Sequence, residues 1–165
     1  MARNIIHQPE LFKPQYLASL DSPIGKVWVE SDGERITRIT FDNPGRGRNT
    51  KAPKVLKEGV IQLKAYFAGR RKKFDLPLYL VGSPYRREIW DRLRKIPYGQ
   101  TITYEELARE AGGLAGSAGS ACAVNPLLIV VPCHRVLGST GLLTAYAGGL
   151  WRKKWLLEHE GVLGE

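Results

Sequence analysis

Cys133 and His134 stand side by side in the segment Pro132-Cys133-His134-Arg135-Val136. A thiol is a strong nucleophile only as thiolate, so it needs a cation, a base or a helix N-terminus nearby to release its proton. The adjacent imidazole can take that proton, and a carboxylate can orient the imidazole. Glu160, close to the end of the last helical pattern, is the carboxylate suited to this, which gives a Cys133–His134–Glu160 relay of the triad kind. A bare Cys-His pair is also compatible with an inert buried thiol beside a histidine. His7 and His159 fit no such constellation and are expected to have no catalytic role. Cys122 is the remaining one of two cysteines, which excludes a disulfide scaffold and a zinc site built on four cysteines. A reduced, cytoplasmic protein is the expectation.

The relay needs a frame. Leu127 to Val131 is a continuous apolar run, read as a short buried strand that ends at Pro132 and presents Cys133 to a cleft. Trp151 to Glu160 has helical spacing, with Trp155, Leu156 and Leu157 expected to face the core. Upstream, Ser83-Pro84 is a helix start, with a helix to about Lys95. Thr103 with Glu106 forms a capping box for a helix from Tyr104 to Glu110, and Gly112-Gly113 separates it from a small-residue stretch, Leu114 to Val124. The two segments make a candidate helix-turn-helix. The N-terminal part reads differently. Tyr16 to Phe41 is rich in strand formers and is broken at Asp32-Gly33, so it predicts a hairpin or meander. Val55 to Ala68 predicts a helix stopped by Gly69, and Phe74 to Leu80 a further strand. The expected organisation is α+β: residues 1–82 as a small antiparallel β-sheet plus helix, residues 83–165 as a mostly helical domain carrying the cysteine.

Of the 165 residues, 43% are hydrophobic and 25% charged, which excludes wholesale disorder and collagen-like repeats. No apolar run approaches the ~20 residues that span a bilayer, so no membrane partner is expected. The first residues do not have the pattern of a secretory signal. The net charge of +9 suggests a polyanionic partner, nucleic acid first. It is unevenly placed: residues 1–82 carry 15 basic and 8 acidic side chains, residues 83–165 carry 10 and 8. Most of the positive field therefore lies outside the half that carries the cysteine. The run Arg70-Arg71-Lys72-Lys73 reads as a solvated turn, with phosphate contact as the alternative.

The pentapeptide around Cys133 resembles the active-site signature of the O6-alkylguanine-DNA alkyltransferases. So do Ile96-Pro97-Tyr98-Gly99 with Thr103-Tyr104, then Asn125-Pro126, Tyr146-Ala147-Gly148-Gly149-Leu150, and Trp155-Leu156-Leu157 with Glu158-His159-Glu160-Gly161. The resemblance is strong over about residues 83–161 and loose over 16–80. It implies a single-turnover repair protein that flips an alkylated guanine out of double-stranded DNA and moves the alkyl group to its own cysteine, without cofactor or metal, as a monomer. Carried over by position, Cys133 is the acceptor, His134 deprotonates it through a water, Glu160 supports His134 and Asn125 orders the hinge. Tyr104 contacts the phosphate of the extruded nucleotide and can donate to N3 of the base. Tyr146 walls the base pocket, with Val136, Ala147 and Gly148 along it; Ala147 stands where a serine is common.

One stretch departs from the family. Its recognition helix carries Arg-Ala-Val-Gly, with the arginine replacing the flipped base in the stack. The corresponding residues here, Gly116, Ser117, Ala118, Ser120 and Ala121 with Gly119 among them, include no arginine, and none lies between Arg109 and Arg135. Either Gly116 holds the arginine's place, or three residues are absent between Ala118 and Gly119. Both alignments imply intact cysteine chemistry with weakened repair of duplex DNA. Two other readings remain at this point: an engineered self-labelling tag of the same family that reacts with free O6-alkylguanine derivatives, and an alkyltransferase-like sensor, which would lack the acceptor cysteine that is present here. A thiol hydrolase fits less well, because the matching motifs extend beyond the Cys-His pair. Some family members bind zinc in the N-terminal half; only His7 is available here, so no structural metal is expected.

Overall fold

A computed structural model describes residues 15–45, 47 and 51–163, so the expectation about His7 lies outside them. The chain divides into two compact units, Met1–Val81 and Gly82–Glu165.

In the first unit, β1 (Tyr16–Leu20), β2 (Val27–Ser31) and β3 (Ile36–Thr40) form an antiparallel meander in the order β1-β2-β3. Val27 and Val29 are buried on β2 and Ile36 and Ile39 on β3, where a register shift at Glu30/Ser31 interrupts the strict alternation. Asp32 makes the β2–β3 turn: its Oδ1 accepts from the backbone N–H of Glu34 (2.9 Å) and of Arg35 (2.8 Å), and Gly33 takes φ +103°, which a side chain resists. Helix α1 (Lys54–Phe67) buries Leu56, Leu63 and Tyr66, and Gly59 lets the helix approach Ile36 closely. The strand expected over Phe74 to Leu80 is reduced to one bridge, Ile36 with Leu78. Pro77 has no N–H to give to a ladder; beyond the backbone bonds of Ile36 to Pro77 O and Tyr79 N, the segment is held by buried Gln62. Gln62 Nε2 donates to Asp75 O (3.0 Å) and its Oε1 accepts from Asp75 N (2.9 Å).

The second unit is mostly helical. Ser83 Oγ accepts from Arg86 N at 3.2 Å and caps α2 (Pro84–Leu93), whose Ile89, Trp90 and Leu93 are buried. Thr103 and Glu106 make the capping box of α3 (Tyr104–Ala111) reciprocally. Gly112 and Gly113, both at φ +88°, turn the chain into α4 (Ala115–Ala123). Trp90 Nε1 donates to Ala121 O at 2.9 Å and locks α4 against α2. Two-residue strands β4 (Ile102–Thr103) and β5 (Val136–Leu137) pair in parallel. Helix α5 (Leu150–His159) follows, with Leu156 and Leu157 buried and Trp155 only half-buried. Among the described residues, no helix is long and apolar enough to cross a membrane.

The run before the cysteine differs from expectation. Leu127, Leu128, Ile129 and Val131 are buried, yet the segment is a tight turn rather than a strand. Val131 N donates back to Leu127 O (2.9 Å) and Val130 N to Leu128 O (2.8 Å). Ile129 takes φ +74°, a left-handed conformation that β-branched residues resist. Burial accounts for the apolar composition, and the turn is imposed by side-chain bonds from Asn125.

Candidate active site

Cys133 opens a single 3₁₀ turn, Cys133–Arg135, directly after that reversal. Asn125 Nδ2 donates to Cys133 Sγ at 3.3 Å and to Val131 O at 2.8 Å, while its Oδ1 accepts from Leu127 N at 2.9 Å. One buried amide therefore ties both ends of the turn and aims a donor at the sulfur, where it stabilises a thiolate over a thiol. Burial nonetheless pushes the thiol up to about 11, with the Asn125 hydrogen bond and the charge of Lys153 acting against it. At neutral pH the sulfur carries its proton, and chemistry there needs a base.

His134 is fully buried behind it. Its Nε2 lies 2.8 Å from Glu160 Oε2, and its Nδ1 has no hydrogen-bond partner. Burial lowers the imidazole pKa, with Glu160 opposing, so the ring is neutral at pH 7. Burial would push the Glu160 carboxyl up, but hydrogen bonds from His134 and Arg135 outweigh it and hold the group well below the usual carboxylate range. An ionised Glu160 accepts the Nε2 proton and leaves the lone pair on Nδ1. Arg135 fixes the carboxylate with Nε to Oε1 at 2.8 Å and Nη2 to Oε2 at 3.0 Å, and anchors itself through Nη1 to Ile96 O at 2.6 Å.

A cavity of about 150 Å³ opens beside the sulfur, the size that takes a benzene-sized group. Tyr104, Cys133, Tyr146, Ala147 and Cys122 line it, with Gly119, Ala123 and Ala145 completing the wall. Burial pushes the Tyr104 phenol up to about 12, so it stays protonated and acts as a hydrogen-bond donor. Tyr146 Oη is buried without a partner, and the Tyr146 ring meets His134 edge-on at 6.4 Å. The structure thus gathers Cys133, Tyr104, Tyr146 and Ala147 at one cavity, with Asn125 on the sulfur and His134 and Glu160 behind it. Val136 is buried in β5, and Gly148 is buried with its carbonyl accepting from Arg152 Nη1 at 3.0 Å; neither residue lines the cavity.

The expected DNA-contacting face of α4 needs correction. Ala118 and Ala121 are buried against the unit's core and do not face solvent. Gly116, Ser117 and Ser120 are exposed, and Ser120 Oγ donates back to Gly116 O at 3.0 Å. The helical period turns every third or fourth residue inward, and in this stretch the inward positions are the alanines.

Sequence reasoning overlooked Arg135 and Lys153. Arg135 was legible, since a buried glutamate needs a counter-charge and the motif supplies one. Lys153 sits in Arg152-Lys153-Lys154, which looks like a solvated run, yet it is fully buried. Its Nζ donates to Thr144 O (3.3 Å) and Ala145 O (3.2 Å) and stands 5.7 Å from the centre of the Tyr104 ring. Its partners lie in a loop that has no periodicity to reveal them.

A buried thiol next to a buried histidine–carboxylate pair, lining a cavity beside a helix pair, is an arrangement that can carry out group transfer onto sulfur. Residues 84–162 match the family described as 6-O-methylguanine DNA methyltransferase, DNA binding domain, and residues 15–80 match its ribonuclease-like domain. The methylated-DNA–protein-cysteine methyltransferase of Mycobacterium tuberculosis is 42% identical over 149 residues, covering 86% of this chain and 90% of the relative. That of Shigella flexneri is 46% identical over 133 residues, covering 79% and 71%. The crystal structure of the M. tuberculosis protein in complex with DNA superposes with TM-score 0.80 at 39% identity, covering 88% of this chain and 92% of that one. The chain belongs to the O6-methylguanine-DNA methyltransferase family and is a methylated-DNA–protein-cysteine methyltransferase by class.

Proposed function

We propose that the protein transfers an alkyl group from O6 of guanine to Cys133, once per molecule. The observation that supports this is Cys133 on the wall of a cavity sized for a small alkyl or aryl group, with Asn125 on its sulfur and the His134–Glu160 pair behind it. His134 Nδ1, the ring nitrogen without a protein partner, takes the thiol proton through a water. The thiolate attacks the alkyl carbon and the carbon–O6 bond breaks. The departing guanine is met by the Tyr104 hydroxyl as donor. The thioether is stable, so the protein is consumed. In a duplex the target lies inside the stack, so the nucleotide must be flipped out to reach the cavity.

A second reading is favoured by α4. Its exposed residues Gly116, Ser117 and Ser120 offer no cation and no wedge to hold the gap left by a flipped base. On this reading the pocket reacts with free O6-alkylguanine derivatives while duplex DNA is engaged weakly, as in a DNA-impaired variant or a self-labelling protein. Incubation with O6-benzylguanine base tests the shared core of both readings. One benzyl group per chain, on Cys133, is expected. Labelling elsewhere, or repeated turnover, would contradict it.

A further inference from the structure

The cavity holds a second sulfur. Cys122, on α4, lines the same wall as Cys133, is 5% exposed, and has no assigned part in the transfer. The α4 helix is locked from behind by the Trp90 bond to Ala121 O, so Cys122 is held in place at the cavity. We propose that Cys122 is a second acceptor thiol. When the group on Cys133 carries its own leaving group on the neighbouring carbon, Cys122 displaces it and closes a two-carbon thioether bridge inside the cavity. This rests on the reading of Cys133 as the alkyl acceptor.

The steps balance without a redox partner. First the Cys133 sulfur–carbon bond forms, the carbon–O6 bond breaks, and guanine leaves with the proton. That leaves, for a 2-chloroethyl group, a chloroethyl thioether. Then the Cys122 sulfur–carbon bond forms, the carbon–chlorine bond breaks, chloride leaves and the Cys122 proton passes to water.

The geometry sets the order. Asn125 Nδ2 donates to Cys133 Sγ at 3.3 Å, so Cys133 reacts first, while burial holds the Cys122 thiol high against the Lys153 charge. Once Cys133 holds the group, its second carbon lies in the cavity that Cys122 also lines. A bifunctional group is thereby consumed within the protein instead of reacting onward with DNA or water.

The test uses the full chain and O6-(2-chloroethyl)guanine as free base, with O6-benzylguanine in parallel. Both cysteines fall in one tryptic peptide, 110–135, because no Lys or Arg lies between Arg109 and Arg135. The expected product has an ethylene unit in place of two thiol hydrogens, no chlorine, and no uptake of iodoacetamide by Cys122 after denaturation. It also lacks backbone fragments between the two cysteines. In Cys122→Ser the same treatment should end with a chloroethyl or hydroxyethyl group on Cys133 alone. If the wild-type chain itself ends at such a monoadduct, with Cys122 open to iodoacetamide, the bridge is refuted while the acceptor reading stands. If neither compound modifies Cys133, the acceptor reading fails and the bridge with it.

Discussion

Glu160 Oε2 lies 2.8 Å from His134 Nε2, and the same carboxylate is gripped from the other side by Arg135. Three buried ionisable groups thus share one hydrogen-bonded cluster that joins the 3₁₀ turn to the end of α5. A buried carboxylate so placed cannot lose a partner cheaply. Glu160→Gln should lower stability by about 3–5 kcal/mol by leaving the Arg135 charge uncompensated, and slow Cys133 labelling as well. Denaturant unfolding and benzylguanine labelling rates check the two effects separately.

The cluster also sets the response to acid. The folded pKa of His134 lies below its ordinary 6.5 and that of Glu160 below its ordinary 4.5. In both cases the unfolded chain binds more protons as the pH falls, so stability is full above the ordinary values and declines below them. Stability should be flat from pH 7 to 8, fall below about 6.5 as unfolded His134 charges, and fall again below about 4.5. The labelling rate should follow the His134 pKa of the folded state, and hold below pH 6.5 before it drops. A urea midpoint series and a pH–rate profile measure these.

Lys153 is a buried cation whose charge works against the burial of both cysteine thiols. Lys153→Met keeps the length of the side chain and removes the charge. The Cys133 thiol should then ionise only at higher pH. Labelling at pH 7 should slow by about tenfold for each pH unit that its ionisation moves upward, and recover in alkali. A purely structural role for Lys153 would lower the rate equally at every pH.

Asn125→Ala removes the donor to Cys133 and leaves Leu127 N without its partner, while Val131 O keeps only the Cys133 N–H. Each buried group left unpaired costs about 1–3 kcal/mol. The turn that carries Ile129 at φ +74° should loosen, with faster amide exchange over residues 126–131. Exchange there equal to wild type would refute the role of Asn125 as the brace.

The helix starts, the meander, the capping box and the His134–Glu160 contact were legible in the sequence, because each depends on local spacing or on a side chain in a fixed motif. The turn at 127–131 was not. Its apolar residues report burial, and only the bonds from Asn125, made across the fold, distinguish a buried turn from a buried strand. Phe74 to Leu80 failed as a strand for a reason the sequence did carry, since Pro77 removes a ladder donor. Ala118 and Ala121 were placed at the DNA face by position in a motif, while the helical period assigns them to the core. Lys153 shows the limit most clearly: a lysine in a basic run is buried here by carbonyls from a loop without regular pattern.

The central claim is that the pocket around Cys133 is complete while α4 lacks what holds a duplex open. Inserting Arg-Ala-Val between Ala118 and Gly119 and comparing both chains on an O6-methylguanine duplex and on O6-benzylguanine base, by intact mass over time, tests it most directly. The expected result is similar labelling of both chains by the free base and methyl transfer from the duplex at least tenfold faster in the inserted chain, a gain of about 1.4 kcal/mol or more. Equal rates on the duplex would contradict the account.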